Sequence, residues 1–382
     1  MPNPNAIVSQ RIRLDPPLEG SASEILRSAA GLSVELDDGR RVPLSADNPR
    51  SAGFAQVLDG LARQKLPVYL EVDPGSGAIT RLLIPHVGRV YEMRPIDAGY
   101  DVELEYSHAR YRLSRDQPDF ADLEKQLRTA LEGRNRVIVT FGDANEILDI
   151  RDFMPGPDDG PLPDWPKPKF PPLEKNWIRD LLDWFRRWWL WRWCFWPWHW
   201  FGCISMTKAQ QVFNAMSATS CSPLTVVPPC IPFMFPDDGC WGRAHEMRRL
   251  MVAMGLNPKK VWIQGGLHTL TRNNPNCYVN WGWHVAPTLC VRRRRWWWWC
   301  HTEEMVIDPS LFTTPVSQAT WKGVQGDPNA TLTPSAGDIF YLWGNYTDPT
   351  YSQTNTVLAD HRLYLLNRSL SPAGPPPYAN CP

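Results

Sequence analysis

The chain has 382 residues, enough for two domains with their own cores, and its 40 lysines and arginines balance 40 aspartates and glutamates. Without net charge there is no long-range attraction to nucleic acid, so we expect no nucleic-acid partner. The 38 prolines and 20 tryptophans are far above ordinary usage. All nine cysteines lie at or beyond Cys194, which indicates a C-terminal half built for oxidising conditions.

The first 152 residues predict an α+β domain made of two similar units. VELDDGRRVPLSADNP, from Val34, aligns with VELEYSHARYRLSRDQP, from Val102. The match indicates a duplicated ββαββ arrangement, with helix N-caps at Asp47 and Asp116. This half contains no cysteine and no glycine-rich phosphate loop. We therefore interpret residues 1–152 as a scaffold, inhibitory or adaptor domain.

Two segments of unusual composition follow. Residues 153–175 are rich in proline and predict an extended linker. Residues 176–202 form a Trp/Arg-rich amphipathic segment, and a second block, RRRRWWWW, begins at Arg292. Indoles beside arginines suit a membrane interface, so we favour interfacial contact over hydrophobic filler. A transmembrane anchor is an alternative, although Arg192 and Pro197 interrupt the apolar run.

The stretch FPDDGCWGRAHEMRRLMVAMG carries the first candidate catalytic residue. An Asp-Asp-Gly turn followed by apolar residues at helical spacing predicts a helix that begins at Cys240. The unpaired amides and the helix dipole at that end favour a thiolate, so we expect a lowered thiol pKa, and the same amides can hold an oxyanion. His245, later in this helix, is interpreted as a packed helix residue.

Two further stretches predict a histidine and a carboxylate side by side. His284 lies in CYVNWGWHVAPTLCV, which alternates like a strand, and Asp308 ends a second strand, EEMVIDPS. A simple hairpin that pairs the two residues has its tip near Trp296. Side chains directly opposite each other lie about 5 Å apart at Cβ, close enough for Asp308 to orient the imidazole. The predicted triad is Cys240, His284 and Asp308.

DGCWGRAHEM, WGWHVAPTLCV and VIDPSLF occur in the order in which the bacterial protein-glutaminases carry similar motifs. The resemblance covers roughly residues 206–370. It implies that residues 203–382 form a papain- and transglutaminase-like α+β catalytic domain, with an antiparallel sheet and a nucleophile-bearing helix. The chain departs from the family at Trp241 and Gly242, where tyrosine and alanine are usual, and we expect this difference to reshape the cleft wall.

The resemblance also implies the chemistry. Cys240 acts as nucleophile, His284 as acid/base and Asp308 as orienting carboxylate, and the side-chain amide of protein-bound glutamine is hydrolysed through a thioester with release of ammonia. The expected partners are proteins with an accessible glutamine. A transglutaminase or a cysteine protease with the same triad, and a catalytically silent Trp-rich membrane-binding protein, are the alternatives.

We expect no cofactor and no metal, because Cys290, Cys300 and His301 lack the paired spacing of a zinc site. Disulfides are expected instead, between Cys221 and Cys230 in a short proline-rich loop and between Cys290 and Cys300 across the hairpin. The N-terminus has no apolar run of secretory length. We therefore expect secretion, or delivery outside the cytoplasm as a bacterial effector, by a route without an N-terminal signal peptide; membrane association is the alternative.

Overall fold

The computed structural model describes residues 5–18, 31–156, 203–296 and 299–382. Most of the predicted linker 153–175 and all of the Trp/Arg-rich segment 176–202 lie outside the described residues. The same holds for residues 297–298 in the second Trp/Arg block and for the side chains of residues 293–301. The predictions of a linker and of membrane-interface contact therefore stay predictions. Within the described residues, no helix is both long enough and apolar enough to cross a membrane.

The first unit consists of two small antiparallel sheets and one helix. Its elements are β1 (Ala6–Ser9), β2 (Ile12–Asp15), β3 (Leu32–Leu36), β4 (Arg41–Leu44), α1 (Ser51–Gln64), β5 (Val68–Val72) and β6 (Ile79–Leu83). The strand orders are β1-β5-β6 and β2-β3-β4. Apolar residues of α1 at helical spacing, Phe54, Leu58 and Leu61, are buried against the strands, because one stripe of the helix faces the sheets.

The second unit has one five-stranded antiparallel sheet covered by a helix. Its elements are β7 (His86–Ile96), β8 (Gly99–Leu104), β9 (Arg110–Ser114), α2 (Phe120–Gly133), β10 (Arg136–Phe141) and β11 (Ile147–Asp152), with strand order β11-β10-β7-β8-β9. Two strands, a helix and two strands thus follow one another over residues 32–83 and again over 99–152. The origin of this order in a duplication stays a prediction.

The predicted helix caps are wrong in both units. The N-cap positions are Arg50 and Asp119, three residues beyond the predicted Asp47 and Asp116. The backbone amides of both aspartates instead donate to the hydroxyls of Ser45 and Ser114, in the turns that precede the helices. Serine side chains compete for backbone donors in this way, which delays the start of each helix.

The C-terminal half forms a mixed α/β structure around a sheet of six strands. Its elements are β12 (Ile204–Ser205), α3 (Met206–Ser217), α4 (Cys240–Ala253), β13 (Lys259–Leu270), β14 (Tyr278–Trp296), β15 (Trp299–Val306), β16 (Val316–Ser317), α5 (Gln318–Gly323), β17 (Thr331–Ser335), β18 (Ile339–Tyr341), β19 (Tyr346–Thr347) and α6 (Ser352–Ser369). The central order is β16-β15-β14-β13-β17, and β12 joins β14 in parallel. Helix α4 packs directly on β14.

Three disulfides join described residues, and they correct one of the two predicted pairs. Cys221–Cys230 is confirmed. The predicted Cys290–Cys300 pair is wrong, because Cys290 is bonded to Cys203 and the hairpin register sets Cys290 opposite Glu304. The parallel pairing of β12 with β14 brings Cys203 to Cys290, at a Cα separation of 4.6 Å. The third bond joins Cys277 to Cys381.

The two halves share a core and contact each other closely. Leu363 and Leu366 of α6 belong to the apolar cluster of the first unit. Gly53 and Gly60 allow α1 to lie this close to the C-terminal half, since a Cβ at either position would come within 2.4 Å of a leucine methyl group. The N-terminal half is therefore held against the C-terminal half, and its second unit is placed over α4.

Candidate active site

Cys240 is the first residue of α4, as predicted. Gly239 precedes it with φ of 78°, and a Cβ there would lie 2.7 Å from the ring of His361, so the tight entry into the helix requires glycine. Cys240 is 1% exposed and is the free cysteine among those whose side chains the structure describes. The thiol therefore lies beside the unpaired backbone amides of the helix start.

His284 and Asp308 meet in the way that the predicted hairpin requires. Nε2 of His284 lies 2.9 Å from Oδ2 of Asp308, and both residues are buried. Strands β14 and β15 form the expected antiparallel hairpin, but its ladder stops at the pair Thr288 and Val306. Asp308 follows β15 by two residues, so the side chains meet beyond the last backbone pair. The hairpin is confirmed, although His284 and Asp308 are not a ladder pair.

Asp308 has two further donors that hold its charge. Nε1 of Trp321 donates to Oδ2 at 2.9 Å, and the backbone amide of Ser310 donates to Oδ1 at 3.1 Å. Burial alone would raise the pKa of Asp308, but the hydrogen bond and charge of His284, followed by the bond from Trp321, outweigh it and leave the pKa below its usual value. Asp308 is therefore held as a carboxylate.

The imidazole of His284 stacks with two indoles. The centroid of its ring lies 4.5 Å from that of Trp281 and 5.4 Å from that of Trp321. With Nε2 donating to Asp308, the buried Nδ1 has no hydrogen-bond partner among the described residues. One nitrogen of His284 lies within 4.8 Å of the sulfur of Cys240. The structure thus brings the three predicted site residues together.

His108, from the N-terminal half, enters the same site, and sequence reasoning missed it. Nδ1 of His108 lies 3.4 Å from Sγ of Cys240 and 2.9 Å from Oδ1 of Asp238. Residues 105–109 connect β8 to β9 and project into the C-terminal half. A histidine in the short connection YSHAR was the available signal, but it carries no motif that would separate it from an ordinary packed histidine.

The connection pairs with the strand that carries His284. Ala109 bridges Trp281, and the amide of Gly282 donates to the carbonyl of His108 at 2.9 Å. The edge of β14 is free there, because β15 pairs with β14 only from Thr288 onward. The guanidinium of Arg110 adds a bond to the carbonyl of Gly265 at 3.0 Å. Residues 105–109, here called the wedge, therefore cover Cys240.

The pKa of the Cys240 thiol in this covered state differs from the prediction. Burial is the largest influence on Cys240 and raises its pKa well above the ordinary value, so the expectation of a lowered pKa is wrong for this arrangement. Burial lowers the pKa of His108 to about 4. Burial opposes the charge of Asp238, yet the hydrogen bond from His108 lowers that pKa below its usual range. The wedge histidine is neutral at pH 7, and the sulfur is a thiol.

His245 is a packed helix residue, as predicted. It is buried in α4, and its Nδ1 lies 2.8 Å from Nζ of the buried Lys260, which also donates to the carbonyl of Ile339 at 2.6 Å. Burial lowers the pKa of His245 to about 3, which leaves the imidazole neutral. These contacts tie α4 to β13 and β18.

The site has a buried thiol at a helix start, beside an imidazole that is held by a carboxylate. Enzymes that transfer acyl groups through a cysteine have this arrangement. Residues 209–325, which include Cys240, His284 and Asp308, match the protein-family model described as glutaminase. This part of the chain is a glutaminase-family domain, and the resemblance predicted from the three motifs is confirmed.

Several solved structures are similar to this chain. A crystal structure of pro-protein-glutaminase is 22% identical, with 78% of this chain and 97% of that chain covered and a TM-score of 0.48. A crystal structure of protein-glutaminase is 27% identical over 47% of this chain and 98% of that chain, with a TM-score of 0.36. The NMR structure of protein-glutaminase from Chryseobacterium proteolyticum is 29% identical over 47% and 97%, with a TM-score of 0.38. The search of curated proteins finds no match.

Proposed function

We propose that the C-terminal half hydrolyses the side-chain amide of protein-bound glutamine to glutamate and ammonia. The observation that carries the proposal is the meeting of Cys240, His284 and Asp308 within the glutaminase-family segment. A glutamine side chain is long enough to bring its amide carbon to a thiol at the base of a cleft while the main chain of the substrate stays at the rim.

The first half of the proposed reaction forms a thioester. His284 takes the thiol proton on Nδ1, the nitrogen left free by the bond between Nε2 and Asp308. The sulfur of Cys240 then attacks the amide carbon, and backbone amides at the start of α4 hold the oxyanion. The C–N bond breaks as His284 returns the proton to the leaving nitrogen, and ammonia departs.

The second half regenerates the enzyme. With ammonia gone, His284 takes a proton from water, and the resulting hydroxide attacks the thioester carbon. The C–S bond breaks to release glutamate, and His284 returns its proton to the sulfur of Cys240. Asp308 stabilises the imidazolium that forms in each half without taking its proton, because His284 and Trp321 both donate to its carboxylate. The chemistry needs no group beyond these side chains and water.

For the N-terminal domain, the wedge favours the inhibitory interpretation over scaffold or adaptor. It occupies the free edge of β14 at Trp281 and Gly282 and sets His108 against the sulfur. An extended substrate segment needs the same edge, since a free strand edge offers backbone donors and acceptors to a passing chain. Departure of the wedge also returns water to Cys240 and removes the burial that raises its pKa.

Ammonia release from a flexible, glutamine-containing protein tests the proposal. Wild type and Cys240→Ala are compared before and after limited proteolysis that removes the N-terminal domain. We expect release from cleaved wild type, much less from intact wild type, and none from either form of Cys240→Ala. A gain of about one mass unit per glutamine identifies deamidation, whereas crosslinks identify a transglutaminase and fragments identify a protease. Equal ammonia release by cleaved wild type and cleaved Cys240→Ala would refute the assignment.

The proposed compartment rests on the cysteines. Three disulfides in the C-terminal half support a protein that works under oxidising conditions, either secreted or delivered outside the cytoplasm. The route of export, the proposed association with membranes and the absence of a nucleic-acid partner rest on sequence alone.

A further inference from the structure

Three buried side chains from both halves of the chain converge on one point. Sγ of Cys240, one nitrogen of His108 and one nitrogen of His284 lie within 4.8 Å of one another. Each of the three residues is 1% exposed. We infer that these residues bind a zinc ion, which fastens the wedge to the active site.

The types of ligand atom at this site and their spacing favour zinc over other metals. One thiolate and two imidazoles form a set that suits zinc, a borderline-soft ion bound by sulfur and nitrogen in tetrahedral geometry. Bond lengths of about 2.0–2.3 Å place the donors of such a site about 3.5 Å apart. The sulfur and Nδ1 of His108 are already 3.4 Å apart, so small side-chain rotations close the remaining gap.

The imidazole of His284 is held as zinc-binding histidines usually are. His284 contacts Asp308 through Nε2, and its Nδ1 is buried and has no hydrogen-bond partner among the described residues. A carboxylate on one nitrogen fixes the ring of a ligating histidine and makes it a better donor. In His108 the nitrogen near the sulfur, Nδ1, is also the one that lies 2.9 Å from Asp238. Zinc bound to Nδ1 of His108 therefore replaces the contact of that nitrogen with Asp238.

Zinc at this position links the two halves of the chain. His108 belongs to the wedge, while Cys240 and His284 belong to the catalytic half. When the wedge leaves, the ion loses one of three protein ligands, and two ligands hold zinc far more weakly than three. Zinc therefore stabilises the covered state and blocks the nucleophile. This regulatory consequence rests on the proposed function, whereas the binding of the metal does not.

Metal analysis of the full-length protein tests the site directly. Wild type, His108→Gln and His268→Ala are loaded with zinc chloride, dialysed and measured for zinc content and affinity. His268 lies exposed on β13 and serves as the matched control. We expect one zinc per chain in wild type and in His268→Ala, and an affinity at least tenfold lower in His108→Gln, since even indirect partners of metal ligands change affinity by about 10–100-fold. Equal affinity in His108→Gln and wild type, or no retained zinc in wild type, would overturn the inference.

Cobalt substitution and thiol labelling provide readouts that a folding defect would not imitate. Co²⁺ in wild type should give the absorption of a tetrahedral ion with a thiolate ligand. Zinc should slow the labelling of Cys240 by iodoacetamide, mapped by peptide mass spectrometry, beyond the shielding that the wedge already gives, and a chelator should return the labelling of wild type to its zinc-free rate. In His108→Gln, zinc should protect Cys240 much less. Zinc binding without ammonia release in any form would refute the proposed glutaminase activity and leave the metal site standing; the reverse result would refute the site alone.

Discussion

Replacing Trp321 by phenylalanine removes one hydrogen bond from the carboxylate that holds His284. The change deletes the donor Nε1, which lies 2.9 Å from Oδ2 of Asp308, and keeps an aromatic ring against the imidazole. Both Trp321 and Asp308 are buried, so water cannot replace the donor without disturbing the core. Asp308 retains the bonds from His284 and from the amide of Ser310.

The loss of stability expected for Trp321→Phe follows from the charge of the acceptor. A hydrogen bond to a charged group contributes about 1.5–3 kcal/mol, and one between neutral groups about 0.5–1.5 kcal/mol. Trp262 offers a matched control: it is equally buried, and its Nε1 donates at 2.9 Å to the neutral hydroxyl of Ser335. Trp262→Phe loses the same ring atoms and a neutral bond. We therefore expect Trp321→Phe to cost about 1 kcal/mol more in free energy of unfolding than Trp262→Phe.

Urea denaturation followed by circular dichroism measures this difference in free energy of unfolding. Its dependence on pH tests whether the charge of Asp308 is the cause. The pKa of Asp308 is lowered in the folded protein, so its charge stabilises the fold above the ordinary aspartate range, near pH 4, and this contribution is lost as pH falls through the folded pKa. The excess cost of Trp321→Phe should be full at pH 7 and shrink in acid. Equal costs for the two variants at pH 7, or an excess that persists unchanged at low pH, would refute the reasoning.

Two further predictions concern stability away from the thiol. Cys277–Cys381 closes a much longer loop than Cys221–Cys230, with sequence separations of 104 and 9, so its removal by paired serine substitution should cost more, about 4.7 against about 2.7 kcal/mol from loop entropy. Urea midpoints of the two paired variants check this order, and the reverse order would contradict it. Burial raises the pKa of Asp360 to about 7, so the folded state binds a proton that the unfolded state releases, and stability should fall as pH rises from about 4 to 7. Thermal melts across this window should show a smaller fall for Asp360→Asn, and parallel curves would argue against a protonated Asp360.

Features set by neighbouring residues were predictable. The turn before Cys240 and the apolar spacing after it predict the helix start, because both signals act within a few residues. The alternation around His284 predicts its strand, and the short loop between Cys221 and Cys230 predicts their bond. The hairpin brought His284 and Asp308 together even though the ladder ends before them, since the imidazole of His284 reaches the carboxylate of Asp308 past the last backbone pair.

The sequence by itself determined the local elements, the family motifs and the side chains with the right chemistry, since periodicity and turn residues act over short stretches. Only the tertiary structure decided that His108 reaches the sulfur of Cys240, that Cys203 bonds Cys290, and that burial raises the pKa of the thiol. Each of these depends on surfaces distant along the chain that come together only after folding. Exposure to water, unlike helix or strand periodicity, is not a property of a short segment. The same cysteine is therefore a thiolate candidate in the sequence and a covered thiol in the fold.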